Sequence, residues 1–193
     1  MAPRERLRVG ELRPSQLLIT YGVGAVVDLP YLSAMVMGLE DWPTTYSEVV
    51  SEPRLLTAVR RQLGSQVQAL RTPPMGPDTG GLVINPFDPL SSVGVPVATF
   101  PRWMVCSYCR LLAPLGDCLF ELKTEPYRPD KTRYVHRNCT RPGAPPETLP
   151  ARFVVACGNG HLDDFPWLWF VHQGGSGCRR PDKSRGGKPW LES

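Results

Sequence analysis

The sequence predicts a loop-rich α+β protein, with a small N-terminal lobe of helices and strands followed by a cysteine-rich region of short antiparallel strands. Three observations support this class. The 193 residues include 22 prolines and 18 glycines, which keep helices and strands short. Hydrophobic residues make up 41% and charged residues 21%, as in folded proteins rather than disordered ones. Five of the six cysteines lie in one stretch, residues 100–161.

Composition divides the chain into four segments. Residues 1–71 carry the helix and strand patterns of the N-terminal lobe, and residues 72–100 form a connector broken by prolines and glycines. Residues 101–178 contain the cysteines. Residues 179–193 are basic and nearly lack large apolar side chains, so we expect a disordered tail.

The N-terminal lobe should contain a glycine turn that leads into a buried strand. A Gly-x-Gly at residues 22–24 precedes the apolar run 25–29. A dinucleotide-binding fingerprint also begins with Gly-x-Gly, but it needs a third glycine where this chain has Val27. The turn-and-strand interpretation is therefore favoured. Trp42, further along, is expected to fill the core of the lobe.

Three helical patterns follow from spacing and capping residues in the same lobe. Residues 13–18 predict a short helix or strand that Ser15 can cap. A longer amphipathic helix should begin after Ser51, with a proline in its first turn, and end at Gly64. A second short helical piece is expected at residues 65–71.

Strand patterns are confined to short runs in the rest of the chain. In the connector, only residues 82–84 and 93–100 qualify. In the cysteine-rich region, residues 119–123 and 133–136 should pair as antiparallel strands, and residues 152–156 should add a third.

An aromatic segment, residues 165–171, comes last. Asp163 or Asp164 could cap a helix there, with Pro166 in the first turn. We expect this helix to pack on the strands before it, and stacking of its rings on nucleic-acid bases is the alternative.

The spacing of the cysteines points to a metal site. A Cys-x-x-Cys pair allows two thiolates of one turn to reach a single Zn²⁺ at about 2.3 Å, and a tetrahedral site needs two further ligands. Either of the two further ligands could instead be His136 or His161. The alternative interpretation is that the cysteines are ordinary buried thiols. Cys118 and Cys178 have no partner at ligand spacing, so we do not expect them to bind the metal. The predicted zinc ligands, in a zinc-ribbon-like region, are Cys106, Cys109, Cys139 and Cys157.

Several functional classes find no motif in the sequence. A zinc deaminase needs His-x-Glu before a Pro-Cys-x-x-Cys, whereas the chain has His161 followed by Leu162 and Asp163. A Walker loop, a His-Glu-x-x-His helix and a Gly-x-Ser-x-Gly elbow do not occur. The longest apolar run is too short to span a bilayer. Because no signal-peptide pattern is recognised, we expect a cytoplasmic protein, and we do not expect it to bind membranes. Because the catalytic motifs above do not occur, we also expect a protein that is not an enzyme.

Four separate motifs, in the same order, resemble the DrmB family, the core proteins of the bacterial DISARM anti-phage system. They are Gly-Glu-Leu-Arg-Pro-Ser-Gln at 10–16, Tyr-Gly-Val-Gly-Ala-Val-Val-Asp-Leu-Pro at 21–30, Tyr-Arg-Pro-Asp at 127–130 with Arg-Tyr-Val-His at 133–136, and Ala-Cys-Gly-Asn-Gly-His-Leu-Asp-Asp-Phe-Pro-Trp at 156–167.

This resemblance implies a binding module that partners a DrmA-like helicase in recognising and restricting phage DNA. A zinc- or thiol-dependent enzyme of unknown substrate is the alternative. Members of the family continue for several hundred residues, whereas the resemblance covers about residues 7–178. We therefore expect an N-terminal part of a DrmB-like protein that lacks a C-terminal portion. The chain carries a formal net charge of +4, and weak, non-specific DNA binding is expected through arginines such as Arg110, Arg128, Arg133 and Arg137.

Overall fold

The computed structural model describes residues 8–76, 85, 87 and 93–173. The predicted strand at 82–84 and the predicted tail at 179–193 lie outside these residues. The strands are β1 (Arg8–Leu12), β2 (Val26–Asp28), β3 (Ser33–Val36), β4 (Val95–Thr99), β5 (Trp103–Cys106), β6 (Leu112–Pro114), β7 (Phe120–Lys123), β8 (Arg133–His136), β9 (Thr148–Pro150), β10 (Val154–Ala156) and β11 (Leu162–Asp164). The helices are α1 (Pro14–Ile19), α2 (Pro53–Leu63) and α3 (Trp167–Val171), and single 3-10 turns occur at Leu39–Asp41, Thr44–Tyr46, Leu115–Asp117 and Pro129–Lys131. The predicted α+β class, with few helices and several short antiparallel sheets, is confirmed.

The first sheet has four antiparallel strands in the order β1-β4-β3-β2. Its interior strand β4 comes from residues 93–100, so the strand predicted there is confirmed. Gly94 precedes β4 at a close approach, because a Cβ built on it would lie 2.8 Å from the carbonyl oxygen of Leu12. The buried residues of this sheet, the aliphatic cluster, are Leu12, Val27, Leu32, Ala34, Val36, Val95 and Val97.

The glycine turn before β2 forms as predicted, although the strand is shorter than expected. Gly24 has a φ of +80°, a conformation that glycine adopts without steric cost, and its N–H donates to the carbonyl of Val36. Only Val27 of β2 is buried, because this strand is at the edge of the sheet. Trp42 packs against the aliphatic cluster, as predicted, and its Nε1 donates to the carbonyl of Met37.

Proline rather than serine marks the start of both helices in this lobe. α1 begins at Pro14 and α2 at Pro53, where the fixed φ of proline suits the first helical position. The predicted caps are wrong, because Ser15 lies inside α1 and Ser51 lies one residue before the cap position of α2. Residues 65–71 are not helical, contrary to the prediction.

The cysteine-rich region contains a three-stranded sheet in the order β6-β5-β9 and the pair β7–β8. The predicted antiparallel pairing of residues 119–123 with 133–136 is confirmed. Val9 and Leu122 pack against both this region and the aliphatic cluster, so the two cores are continuous. The buried residues here, the ribbon cluster, are Met104, Cys106, Ala113, Leu115, Phe120 and Tyr134.

The predicted third strand of the region pairs with a different partner. β10 forms a hairpin with β11, the β10–β11 hairpin, and not with β7 or β8. Asp163 and Asp164 are part of β11 and do not cap a helix. Instead their carboxylates bind the guanidinium of Arg102, with 2.5 Å between Arg102 Nε and Asp164 Oδ2. α3 begins after Pro166, and its Trp169 is 53% exposed, so the expected packing of that helix is only partial.

Candidate metal centre

The turn between β5 and β6 presents the Cys-x-x-Cys pair. Cys106 ends β5 and is fully buried in the ribbon cluster, whereas Cys109 is exposed at the turn. The turn closes by two backbone hydrogen bonds, from the N–H of Cys106 to the carbonyl of Leu111 and from the N–H of Arg110 to the carbonyl of Cys106. Arg110 has a φ of +61°, a left-handed conformation that reverses the chain directly after the second cysteine. Both thiols therefore point to one side of a single tight turn.

The end of β8 presents a second pair with the same spacing. His136 is the last residue of β8 and is 6% exposed, and its ring packs edge-to-face with that of Phe120 at a centroid distance of 5.5 Å. The N–H of His136 donates to the carbonyl of Pro146, which fixes the strand end. Cys139 follows in the next turn and packs against the ribbon cluster. Both ligand pairs are thus anchored by the same small core.

These four side chains converge. The donor atoms of Cys106, Cys109, His136 and Cys139 all lie within 4.8 Å of one another, and together they form what we call the metal centre. The Sγ atoms of Cys106 and Cys139 are 3.9 Å apart, and Cys109 Sγ lies 3.4 Å from His136 Nδ1. A disulfide is excluded for Cys106 and Cys139, because its two sulfurs would be about 2.05 Å apart. The arrangement could hold a metal ion.

Backbone hydrogen bonds favour the thiolate form of Cys106. Burial raises the pKa of Cys106, but hydrogen bonds from the N–H groups of Cys109 and Tyr108 and from the His136 ring together lower it by more. The net result is a pKa of about 6, below the ordinary value of a thiol. For Cys109, the N–H of Leu111 lowers the pKa, while desolvation and the neighbouring thiols raise it, and the net shift is upward. One thiol of the pair is therefore readily deprotonated, which is the form that binds metals.

The structure brings together three of the four predicted ligands. Cys106, Cys109 and Cys139 are in the metal centre, and His136, which the sequence left open as a substitute, stands where Cys157 was expected. Cys157 lies in the β10–β11 hairpin, where its Sγ is 3.4 Å from His161 Nδ1.

The spacing of the distal pair is the signal that could have identified His136. His136 and Cys139 are separated by two residues, as are Cys106 and Cys109. A pair of that spacing supplies both ligands from one turn, whereas Cys139 and Cys157 would have had to come from two turns.

The two remaining cysteines are Cys118 and Cys178. Cys118 is exposed, its Sγ lies 3.7 Å from the carbonyl oxygen of Gly116, and it is not one of the four residues of the metal centre. Cys178 lies outside the described residues.

Comparison with known proteins assigns a family without an activity. A family model described as a domain of unknown function, DUF8724, matches residues 13–192. The chain belongs to this family. The DUF8724 match includes nearly all of residues 179–193, for which we expected no resemblance. The chain is also similar to the DISARM protein DrmB of Bacillus paralicheniformis, with 40% identity over 83 residues. That similarity covers 40% of this chain and 12% of the length of DrmB.

The arginines predicted to contact DNA fall into two groups in this DUF8724 chain. Three of them are paired with acidic side chains: Arg128 with Asp130, Arg133 with Glu147 and Arg137 with Glu121. Arg110 makes no ion pair within the residues that the structure describes. It follows the exposed Tyr108 by two residues, and Arg141 lies over the Tyr108 ring at 5.9 Å from its centroid. Among the described residues, Arg110 and Arg141 therefore place two arginines without an ion pair near the Cys-x-x-Cys turn.

One further property concerns membranes. In the described part of the chain, no helix combines the length and the apolar character that crossing a bilayer requires.

Proposed function

We propose that this chain is the N-terminal part of a DrmB-like component of a DISARM system, and that it acts in the cytoplasm as a zinc-braced scaffold. The observation that carries the proposal is the convergence of a Cys-x-x-Cys turn and a His-x-x-Cys turn in a chain with 40% identity to a DISARM protein over 83 residues. Because the similarity covers 12% of that protein, the activity and the partners of the whole protein are part of the proposal.

Zinc is the metal that the donor set fits best. Tetrahedral Zn²⁺ with Zn–S bonds of about 2.3 Å requires two sulfurs about 3.8 Å apart, and a sulfur and an imidazole nitrogen about 3.5 Å apart. The separation of Cys106 and Cys139 is 3.9 Å, and that of Cys109 and His136 is 3.4 Å. Three thiolates and one imidazole are also a common ligand set of structural zinc sites.

A structural role follows from the number of ligands. Four protein ligands complete the tetrahedron, whereas a catalytic zinc usually keeps one position for water or substrate. The ion would tie the β5–β6 turn to the end of β8, two segments whose strands are only three or four residues long. This supports a binding module rather than an enzyme.

The partner in this proposal is a DrmA-type helicase, and the ligand is phage DNA. Arg110 and Tyr108 of the β5–β6 turn and Arg141 of the β8–β9 loop supply two cations and an exposed aromatic ring, a combination that suits contacts to phosphates and unstacked bases. With so few contacts, binding by this chain alone should be weak and should not depend on the DNA sequence.

Metal analysis tests the zinc assignment. Protein purified without chelators should retain one tightly bound Zn²⁺ per chain through gel filtration, and Cys139→Ser should lose it. The matched control, Cys118→Ser, removes an exposed thiol outside the metal centre and should keep the metal. Purified protein without any bound metal would refute the assignment.

A salt titration tests the DNA contact. Fluorescence anisotropy with a labelled oligonucleotide should give an affinity that falls steeply with salt, and the double variant Arg110→Ala, Arg141→Ala should reduce the slope by about two counterions. Arg128→Ala is the control, since Asp130 already holds that guanidinium through two hydrogen bonds. Salt-independent binding, or an unchanged slope in the double variant, would contradict this surface.

Co-expression tests the partnership. A tagged copy of this chain should capture a DrmA-type helicase, and Cys139→Ser should weaken the capture because the scaffold loses its brace. Capture at the same level by this variant would show that the metal centre does not support the interface, and failure of the parent chain to capture the helicase would contradict the partnership itself.

A further inference from the structure

The tip of the β10–β11 hairpin places a cysteine and a histidine opposite each other. The N–H of Cys157 donates to the carbonyl of His161 at 3.1 Å, and the N–H of Gly160 donates to the carbonyl of Cys157 at 3.0 Å. Gly160 has a φ of +82°, which lets a three-residue loop close the hairpin. Cross-strand neighbours in such a hairpin project from the same face, and these two side chains meet there.

The distance between the two donor atoms suits a shared metal ion. Cys157 Sγ and His161 Nδ1 are 3.4 Å apart, and a tetrahedral Zn²⁺ bound to both would hold them about 3.5 Å apart. Both residues are exposed, so an ion can reach them from solvent. A hydrogen bond between the thiol and the ring would give the same separation, and a measurement of metal binding distinguishes the two.

The hairpin that carries the pair is anchored at its other end. The backbone N–H of Arg102 donates to Asp164 Oδ1 at 2.6 Å, and its Nε lies 2.5 Å from Asp164 Oδ2. The same guanidinium also binds Asp163. β11 is therefore attached to the segment that leads into β5, and the donor pair is presented on a fixed element rather than on a free loop.

We propose that Cys157 and His161 form a second metal half-site that takes a borderline divalent ion such as Zn²⁺ or Co²⁺, separate from the metal centre. The Cys157 thiol gives its proton to solvent as the sulfur–metal bond forms, and His161 binds through Nδ1. Water fills the remaining coordination positions in the isolated chain. An ion held by two protein ligands exchanges readily, unlike one in a closed four-ligand site.

Cobalt titration of the zinc-loaded protein tests this half-site. Co²⁺ does not displace zinc from the metal centre, because zinc binds such sites more tightly. We expect about one further equivalent to bind, with a thiolate-to-Co²⁺ charge-transfer band. Cys157→Ser should abolish that band, and His161→Ala should weaken the binding at least tenfold. Added Zn²⁺ should also slow alkylation of Cys157, measured by mass spectrometry.

The matched control is Cys118→Ser. Cys118 is also an exposed thiol, but its neighbour is a backbone carbonyl oxygen, so the variant should bind the second equivalent as the parent does. Because Cys157 and His161 are exposed, their variants should keep the circular dichroism spectrum and the tightly bound zinc of the parent. Absence of a second equivalent, or its persistence in Cys157→Ser, would overturn the proposal.

Discussion

The two cores of this protein are stabilised in different ways. The aliphatic cluster contains seven buried residues, all of them hydrocarbon, under a four-stranded sheet. The ribbon cluster contains six, one of which is Cys106, and lies between strands of three or four residues. Hydrocarbon burial alone can maintain the first. The second has less regular structure around it and contains the side chains of the candidate metal centre, where further apolar side chains would otherwise be needed.

Loss of a metal ligand should have the largest effect and should be confined to one core. Binding of structural zinc contributes about 10 kcal/mol or more to the folding of small zinc domains. Cys106→Ser, or chelation of the metal from the parent chain, should therefore unfold the ribbon cluster and leave the first sheet folded. Hydrogen exchange resolved by mass spectrometry should show lost protection in β5–β9 and retained protection in β1–β4. Equal protection of β5–β9 with and without metal would show that the brace is dispensable.

A cavity in the aliphatic cluster should have a smaller effect and should destabilise the other core. Val36 is 1% exposed, and Val36→Ala removes two methyl groups from a packed site, at a cost of about 2 kcal/mol. The bound metal should be retained, because no ligand lies in this cluster. Urea unfolding and metal content, measured on the same sample, separate the two quantities. Loss of metal from this variant would mean that the two cores unfold as one unit.

This difference between the cores also explains what could be predicted from the sequence. Composition was sufficient for the α+β class, and short alternating patterns identified β7 and β8, whose pairing is local. The two-residue spacing between His136 and Cys139 could have indicated His136 rather than Cys157, but the meeting of that pair with Cys106 and Cys109 depends on tertiary placement. The binding of Arg102 by Asp163 and Asp164 joins segments about sixty residues apart, and no local pattern indicates such a contact.

Loss of the contact between Arg102 and the two aspartates should affect the β10–β11 hairpin and neither core. Arg102→Ala should leave two carboxylates of β11 without their cation, one of them with a side chain that is 9% exposed. Charge-assisted hydrogen bonds contribute about 1.5–3 kcal/mol, so the β10–β11 hairpin should open locally while both cores stay folded. Hydrogen exchange of residues 154–164 measures this opening. Lys123→Ala is the control, because Lys123 pairs with Glu121 on an exposed surface and should contribute little.

The smallest expected effect concerns the hydrogen bond that joins the two cores. Tyr134, in the ribbon cluster, shares a hydrogen bond of 3.1 Å with Thr99 of β4. Tyr134→Phe should cost about 1 kcal/mol at neutral pH, whereas Tyr108→Phe, at an exposed ring, should cost nothing measurable.

Burial raises the pKa of Tyr134 above its usual value of 10.0, and the bond with Thr99 only partly offsets this. The unfolded chain therefore ionises at this position before the folded one, and the stability contributed by the neutral phenol is complete below about pH 10 and falls as the pH rises through the folded pKa. The parent should thus lose stability more steeply above pH 10 than Tyr134→Phe, and the difference between them in urea unfolding should shrink. If the difference in unfolding free energy between the parent and Tyr134→Phe stayed constant from pH 7 to pH 11, Tyr134 would ionise alike in the folded and unfolded states. Its burial at the junction of the two cores would then not oppose ionisation.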